Sequence, residues 1–188
     1  AHETVKSFVL VIPSFAGGGA ERVMIQLANE FDRRGRDVHL LVVDARGPLR
    51  ELPRGGVAVH DLDRRRVLTA AWDIVRCVRS VGAPHVLGTM AHVNLILLAM
   101  RGLMRKGTRV YVREANTPSV NIRLQSWPAL FRMGYRYLYP RANYILCPST
   151  LIVTELTAEF GVSAASTLRV DNPVDEERIR ASLVPKRM

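Results

Sequence analysis

Three consecutive glycines, Gly17-Gly18-Gly19, run directly into Ala20-Glu21-Arg22, and no other spacing in the sequence is as rich in chemical meaning. Glycine accepts positive φ and lets the backbone approach a ligand closely. An apolar run precedes the turn and a helix-period pattern follows it. The free N–H groups and positive dipole end of that helix therefore suit an anion such as phosphate. The dinucleotide fingerprint requires Gly-x-Gly-x-x-Gly with an acid about 20 residues later. Gly17-x-Gly19 begins that pattern, and Asp44 stands where the acid belongs. Arg22, however, fills the third glycine position, where a bulky side chain opposes close helix–sheet packing. A phosphate loop is excluded, because no Gly-Lys-Ser/Thr closes the turn.

The elements that must hold this turn follow from hydrophobic periodicity. Short continuous apolar runs predict strands over residues 7–13 and 37–43, buried on both faces. Further strands are expected over 57–62, 85–89, 108–113, 143–147 and 166–170. Helical spacing predicts helices over 20–34, 67–81, 94–105 and 150–160. A longer helix is expected over 123–139, interrupted near Pro128 and stopped by Pro140. Strands alternating with helices predict a Rossmann-like α/β fold with a doubly wound, mostly parallel sheet. In such a sheet ligands sit beyond the carboxyl ends of the strands, where the glycine turn lies.

The chain's 188 residues suit one sizeable domain, and 48 % hydrophobic with 23 % charged residues is ordinary globular composition. The longest apolar stretch, 91–100, is too short to span a bilayer, and the first residues lack the form of a signal peptide. Cys77 and Cys147 stand far apart in apolar surroundings and read as buried, reduced thiols of a cytoplasmic protein. No His/Cys cluster has ligand spacing, so neither metal nor cofactor is expected. The net charge of +10 favours polyanionic partners, namely nucleic acid, an anionic membrane surface or phosphorylated small molecules. It fits equally a plain preference for arginine, since only Lys6, Lys106 and Lys186 are lysines. Nucleic acid is disfavoured by the absence of a reading motif and by arginines spread along the chain.

The stretch Pro13-Ser-Phe-Ala-Gly-Gly-Gly-Ala-Glu-Arg-Val23 resembles the Gly-Gly-Ala-Glu-Arg opening of bacterial group 1 (family 4) glycosyltransferases of the GT-B architecture. Leu27-Ala-Asn29, Arg34-Gly35 with Val38, and Gly47-Pro-Leu49 with Val57 extend the likeness. Tyr139-Pro-Arg-Ala142, Pro148-Ser149 and Asn172-Pro-Val-Asp175 carry it to the far end. The resemblance implies a retaining, hexosyl-type transferase of polysaccharide biosynthesis, with a nucleotide-sugar as donor substrate. It implies two Rossmann-like halves, the N-terminal one holding a glycan, lipid-linked or small-molecule acceptor. The other half carries two glutamates eight positions apart, and no Glu here has a second one eight residues later. Residues 1–175 are therefore expected to be the acceptor-side domain, one half of a GT-B fold. Residues 176–188 would start a linker or terminal helix, with the donor-binding domain absent and the chain alone inactive.

Carried onto matching positions, the resemblance implies that Gly17, Gly18 and Gly19 face the donor's phosphate or sugar. Glu21 and Arg22, which open the helix, become acceptor-side candidates, although a first-turn acid also simply suits the helix dipole. His92 and Asn94 follow a strand and offer hydrogen bonds to an acceptor; His92 serves equally well as a polar helix start. Arg113-Glu-Ala-Asn116 follows the next strand. Relatives place a histidine in this neighbourhood and position 115 is Ala, which leaves Arg113, Glu114 and Asn116 as the polar groups. A carboxylate at Glu114 suits orienting or deprotonating a hydroxyl, and pairing with a neighbouring arginine is the structural alternative. Arginines and aromatics interleave over 123–141, which fits peripheral contact with an anionic membrane from its cytoplasmic face, or an ordinary amphipathic helix. A non-catalytic or NAD-type Rossmann domain remains the second reading, and it predicts NAD affinity in the isolated chain.

Overall fold

Apolar side chains alternate along the first two strands so that both faces of the sheet need cover. β1 (Ser7–Ser14) and β2 (Asp37–Asp44) send Val9, Val11, Leu41 and Val43 to one side. Leu10, Ile12, Leu40 and Val42 go to the other. The computed structural model describes residues 7–173 and shows how that cover is supplied. The remaining strands are β3 (Ala58–Asp61), β4 (His85–Thr89), β5 (Arg109–Arg113), β6 (Tyr144–Cys147) and β7 (Thr167–Arg169). All seven join one sheet in the order β3-β2-β1-β4-β5-β6-β7, and every pairing is parallel. The expected Rossmann-like α/β fold is therefore present, with a sheet that is parallel throughout.

Helix α1 (Gly19–Arg33) covers one face with Met24, Ile25 and Ala28. The opposite face takes α2 (Ala71–Val81), α3 (Ala91–Met100), α5 (Pro128–Tyr137) and α6 (Thr150–Phe160). Their Ile74, Val93, Tyr135 and Leu156 enter a single core with β1, β4, β5 and β6. A short helix, α4 (Pro118–Arg123), lies between β5 and α5.

Several boundaries differ from the sequence expectation for local reasons. The helix expected over 67–81 starts only at Ala71, because Thr69 Oγ1 donates to the Arg66 carbonyl and turns the preceding residues. Helix α3 starts at Ala91, before the expected residue 94, and gives way after Met100 to a 3₁₀ turn, Arg101–Leu103. The single helix expected over 123–139 is two. Pro128 occupies the first turn of α5, and the residue before a proline is pushed out of helical conformation, as Trp127 is at φ −128°, ψ 68°. The helix or linker expected over 176–188, and Val174-Asp175 of the closing motif, lie outside the described residues. No helix among the described residues is long and apolar enough to cross a membrane.

Candidate functional site

Strand order reverses between β1 and β4, so the loops leaving their carboxyl ends diverge and open a crevice. A cleft of about 570 Å³ occupies it. One wall is Gly18 to Glu21 with Val23, from the start of α1. The other comes from Met90 to His92 after β4, Arg113, Ala115 and Asn116 after β5, and Asn172 after β7. Asn121 and Gln125 close it from the α4 side.

The three glycines divide their work. Gly17, at φ 107°, bends the chain and packs towards Pro48 without lining the cleft. Gly18 caps α1 with no side-chain hydrogen bond, so the first N–H groups of the helix face the cleft. The space a side chain would take at Gly18 is filled by the Glu21 carboxylate, which is buried over the helix N-terminus. That carboxylate already stands where the helix dipole favours an anion. It also presents acceptor oxygens to any hydroxyl entering from the cleft. Arg22 points elsewhere, into a separate depression with Asn29, Pro48 and Leu52, so the structure does not bring it to the cleft.

Met90 holds the turn between β4 and α3 at φ 70°, ψ 138°, a conformation that glycine adopts and methionine rarely does. Its carbonyl accepts from the Val93 and Asn94 N–H groups, which starts α3 early and swings His92 into the cleft wall. Burial lowers His92 below its usual 6.5, so the imidazole is neutral at pH 7. Arg113 is buried; its guanidinium donates to Asn172 Oδ1 and, at 3.4 Å, to Thr89 Oγ1. Burial lowers its basicity while the Glu114 charge opposes that, and the guanidinium stays protonated.

Glu114 and Asn94 are not in the wall. Both are 0 % exposed, behind the Arg113–Asn116 loop. Tyr139 donates to Glu114 Oε1, and Asn94 Nδ2 donates to the same oxygen at 3.2 Å. Tyr135 Oη and Asn121 Nδ2 donate to Oε2 at 3.1 and 2.9 Å. Burial still dominates and pushes the Glu114 carboxyl up to about 7, against these bonds and the Arg113 charge. The arginine ion pair that was the structural alternative is not formed; the partners are two tyrosines and two asparagines. As placed here, Glu114 does not itself line the cleft and reaches its wall only through Asn121. Asn94 likewise spends its amide on Glu114, Tyr139 and the Arg113 carbonyl, leaving Oδ1 without a partner.

Sequence reasoning passed over Asn121, Gln125 and Asn172 as site residues. Asn172 had a signal, its place in the closing Asn-Pro motif after the last strand. Asn121 and Gln125 had none, since only the break before α5 turns them inward. Beside the cleft, and sharing His92 with it, lies a second depression of about 490 Å³ lined by Arg46, Arg65 and Arg66. Asp44 there is tied to Arg46, which holds its carboxyl down at about 2. Among the described residues no cluster of His, Cys, Asp and Glu is placed to hold a metal.

Comparison with known proteins adds to this geometry. The family model described as Glycosyltransferase Family 4 matches residues 17–178. No curated protein sequence matches the chain. Among solved structures, a glycosyltransferase from Rickettsia africae ESF-5 superposes with TM-score 0.68 at 13 % identity, covering 97 % of this chain and 47 % of that one. The apo form of lipopolysaccharide outer core galactosyltransferase WaaB gives 0.64 at 14 % identity, with coverage of 90 % and 46 %. Anabaena Alr3699/HepE, solved in complex with UDP, gives 0.58 at 16 % identity, with coverage of 95 % and 50 %. The chain thus spans about half the length of the solved structures it matches.

Proposed function

Because this chain belongs to Glycosyltransferase Family 4, we propose that it is the acceptor-side domain of a retaining glycosyltransferase that moves a sugar from a nucleotide-sugar donor. One observation carries the reading: the cleft at the β1/β4 switch point gathers Gly18, Gly19, Glu21, His92, Arg113 and Asn116 around one open crevice. In this reading the Gly18–Gly19 backbone approaches the donor sugar or its phosphates. Glu21 and neutral His92 take hydroxyl protons into hydrogen bonds, and Arg113 offers a fixed positive charge. UDP in the HepE complex supports a nucleotide-linked donor. The arginine-lined depression next to His92 supports an acceptor that carries negative charge near the reacting hydroxyl.

Glu114 acts in this proposal through others: it anchors Asn94, Asn121, Tyr135 and Tyr139, and so fixes the loop bearing Arg113 and Asn116. The test is kinetic, on the enzyme that includes the donor-binding half. His92→Ala and Asn116→Ala should each lower kcat/KM by about tenfold or more without moving the unfolding temperature. Product anomers read by NMR should retain the donor's configuration. Wild-type turnover in both variants, or tight NAD binding by the isolated chain, would overturn the assignment.

A further inference from the structure

A further cationic depression, of about 720 Å³, lies at the amino ends of β5 and β6, the sheet edge remote from the cleft. Arg101 follows α3, Arg105, Lys106 and Arg109 lead into β5, and Arg141 precedes β6. Among the described residues no Asp or Glu lines it. Residues 74–154 hold eleven Lys and Arg against one acid, the buried Glu114, a surplus of ten that equals the whole chain's +10. The arginines are thus spread along the chain, while the net charge is not.

One of these cations has a plain structural task. Arg101 stands at the C-terminus of α3, where the dipole favours positive charge, and its guanidinium donates to the Arg141 carbonyl. The side chains of Arg105, Lys106, Arg109 and Arg141 are exposed, with neither an ion pair nor a hydrogen bond among the described residues. By contrast, Arg46 is tied to Asp44 and Arg64 to Asp73. The uncharged side chains of the depression have bonding capacity to spare. Thr108 is only 9 % exposed, and its hydroxyl has no hydrogen-bond partner among the described residues. A side-chain polar group buried to that degree is ordinarily satisfied. Asn143 spends Oδ1 on the Val110 N–H at 2.9 Å, which leaves its Nδ2 to donate. Gly102 and Gly107 line the same depression with nothing within 4 Å of where a Cβ would be, so the backbone there is open to close approach.

We propose that this depression binds a soluble ligand carrying two or more phosphoryl groups, a diphosphate or a bisphosphate. Its unpartnered side-chain groups can all donate hydrogen bonds, and charge-assisted bonds to phosphate oxygens are the strong ones. One phosphoryl group carries about −1.5 to −2 at pH 7, so two of them match the uncompensated Arg105, Lys106, Arg109 and Arg141. No aromatic residue lines the depression, so nothing there stacks a nucleobase, and the ligand is read by its phosphates. Its place also separates it from the donor phosphates, which the proposed function puts at Gly18 and Gly19, beyond the opposite ends of the strands. Helix α3 spans the two, from His92 at the cleft to Leu98 and Ala99 at the depression. The inference stands independently of glycosyl transfer, since it is read without donor or acceptor.

Amide NMR spectra of the isotope-labelled chain, titrated with pyrophosphate, test it residue by residue. The Gly107 and Thr108 amides should shift and saturate, with half-saturation at or below about 1 mM. Sodium chloride of equal ionic strength should not reproduce this, and inorganic phosphate should half-saturate about tenfold higher or more. Arg105→Ala/Arg109→Ala should weaken the response by about tenfold or more, and Thr108→Val by about threefold or more. Arg65→Ala/Arg66→Ala, in the depression beside His92, should leave it unchanged at these two amides. The remaining signals report whether each variant stays folded. Absence of saturation in the parent chain, or an undiminished response in the folded Arg105/Arg109 variant, overturns the proposal. Broadening of the same amides by phosphatidylglycerol vesicles without any response to pyrophosphate also overturns it and assigns the depression to a lipid surface.

Discussion

A carboxylate taken out of water without an ion pair is tolerated only where donors replace the water, and Glu114 has four. They come from α3, α4, α5 and the turn after α5, so one side chain ties together every element beneath the β5 loop. The cost shows as a carboxyl raised to about 7 from its ordinary 4.5. The folded state therefore holds the proton more tightly than the unfolded chain. This contribution to stability is full below about pH 4.5 and is lost as pH rises through about 7, by about 3 kcal/mol in all. Glu114→Gln should be less stable at every pH, because its NH₂ meets donors. Its urea unfolding free energy should nevertheless lack the decline between pH 4.5 and 7 that the parent shows. An unchanged slope would mean that the titrating group lies elsewhere. In the sequence Glu114 reads as a cleft residue because it follows a strand; only the ring of tyrosines, 21 and 25 residues further on, reveals that it faces inward.

At the scale of elements, the two turns that frame the cleft differ in how openly the sequence declares them. The α1 turn is declared by its glycines. Gly19, the first helical residue, has no left-handed backbone, and nothing lies within 4 Å of where its Cβ would be. Gly19→Ala should therefore keep or raise stability, by up to about 0.5 kcal/mol. It should still impair transfer in the full-length enzyme, because the methyl group narrows the cleft wall. Loss of stability, or unaltered turnover, would show that the glycine serves the fold alone. The β4–α3 turn is undeclared, since nothing about Met90 announces φ 70°. That angle is imposed by packing: α3 presses on β4 so closely that a Cβ at Gly88 would meet Leu97 Cδ1 and Asn94 Oδ1. In thermal unfolding Met90→Gly should stay within about 1 kcal/mol of the parent. Met90→Ile should lose roughly 2 kcal/mol or more, since a β-branched residue opposes that backbone. Equal effects would remove strain from the account of this turn.

For the molecule as a whole, the cleft is an open crevice of about 570 Å³, on a chain about half the length of the solved structures it matches. A ligand held in an open crevice keeps much of its hydration and buries little surface, so little contact energy offsets the freedom it loses on binding. If the proposed function holds, calorimetry of the isolated chain with UDP-sugars should therefore give dissociation constants near or above about 1 mM, with far tighter binding by an enzyme that includes a donor-binding half. Micromolar binding by this chain alone would contradict the open-crevice description.

The sequence by itself determined the fold class, the strand–helix alternation, the glycine turn at the β1 edge and, through its opening and closing motifs, the family. These rest on local periodicity and on short motifs, which need no knowledge of distant neighbours. Tertiary structure decided the rest. It separated Gly17 and Arg22 from the cleft, withdrew Asn94 and Glu114 into the core, and admitted Asn121, Gln125 and Asn172. It also turned Leu130, Met133 and Tyr137 outward, where the same aromatic and basic pattern would equally have suited a buried helix. Whether a polar or apolar side chain faces ligand, solvent or core depends on contacts between residues tens of positions apart, and the spacing of residues along one element does not encode them.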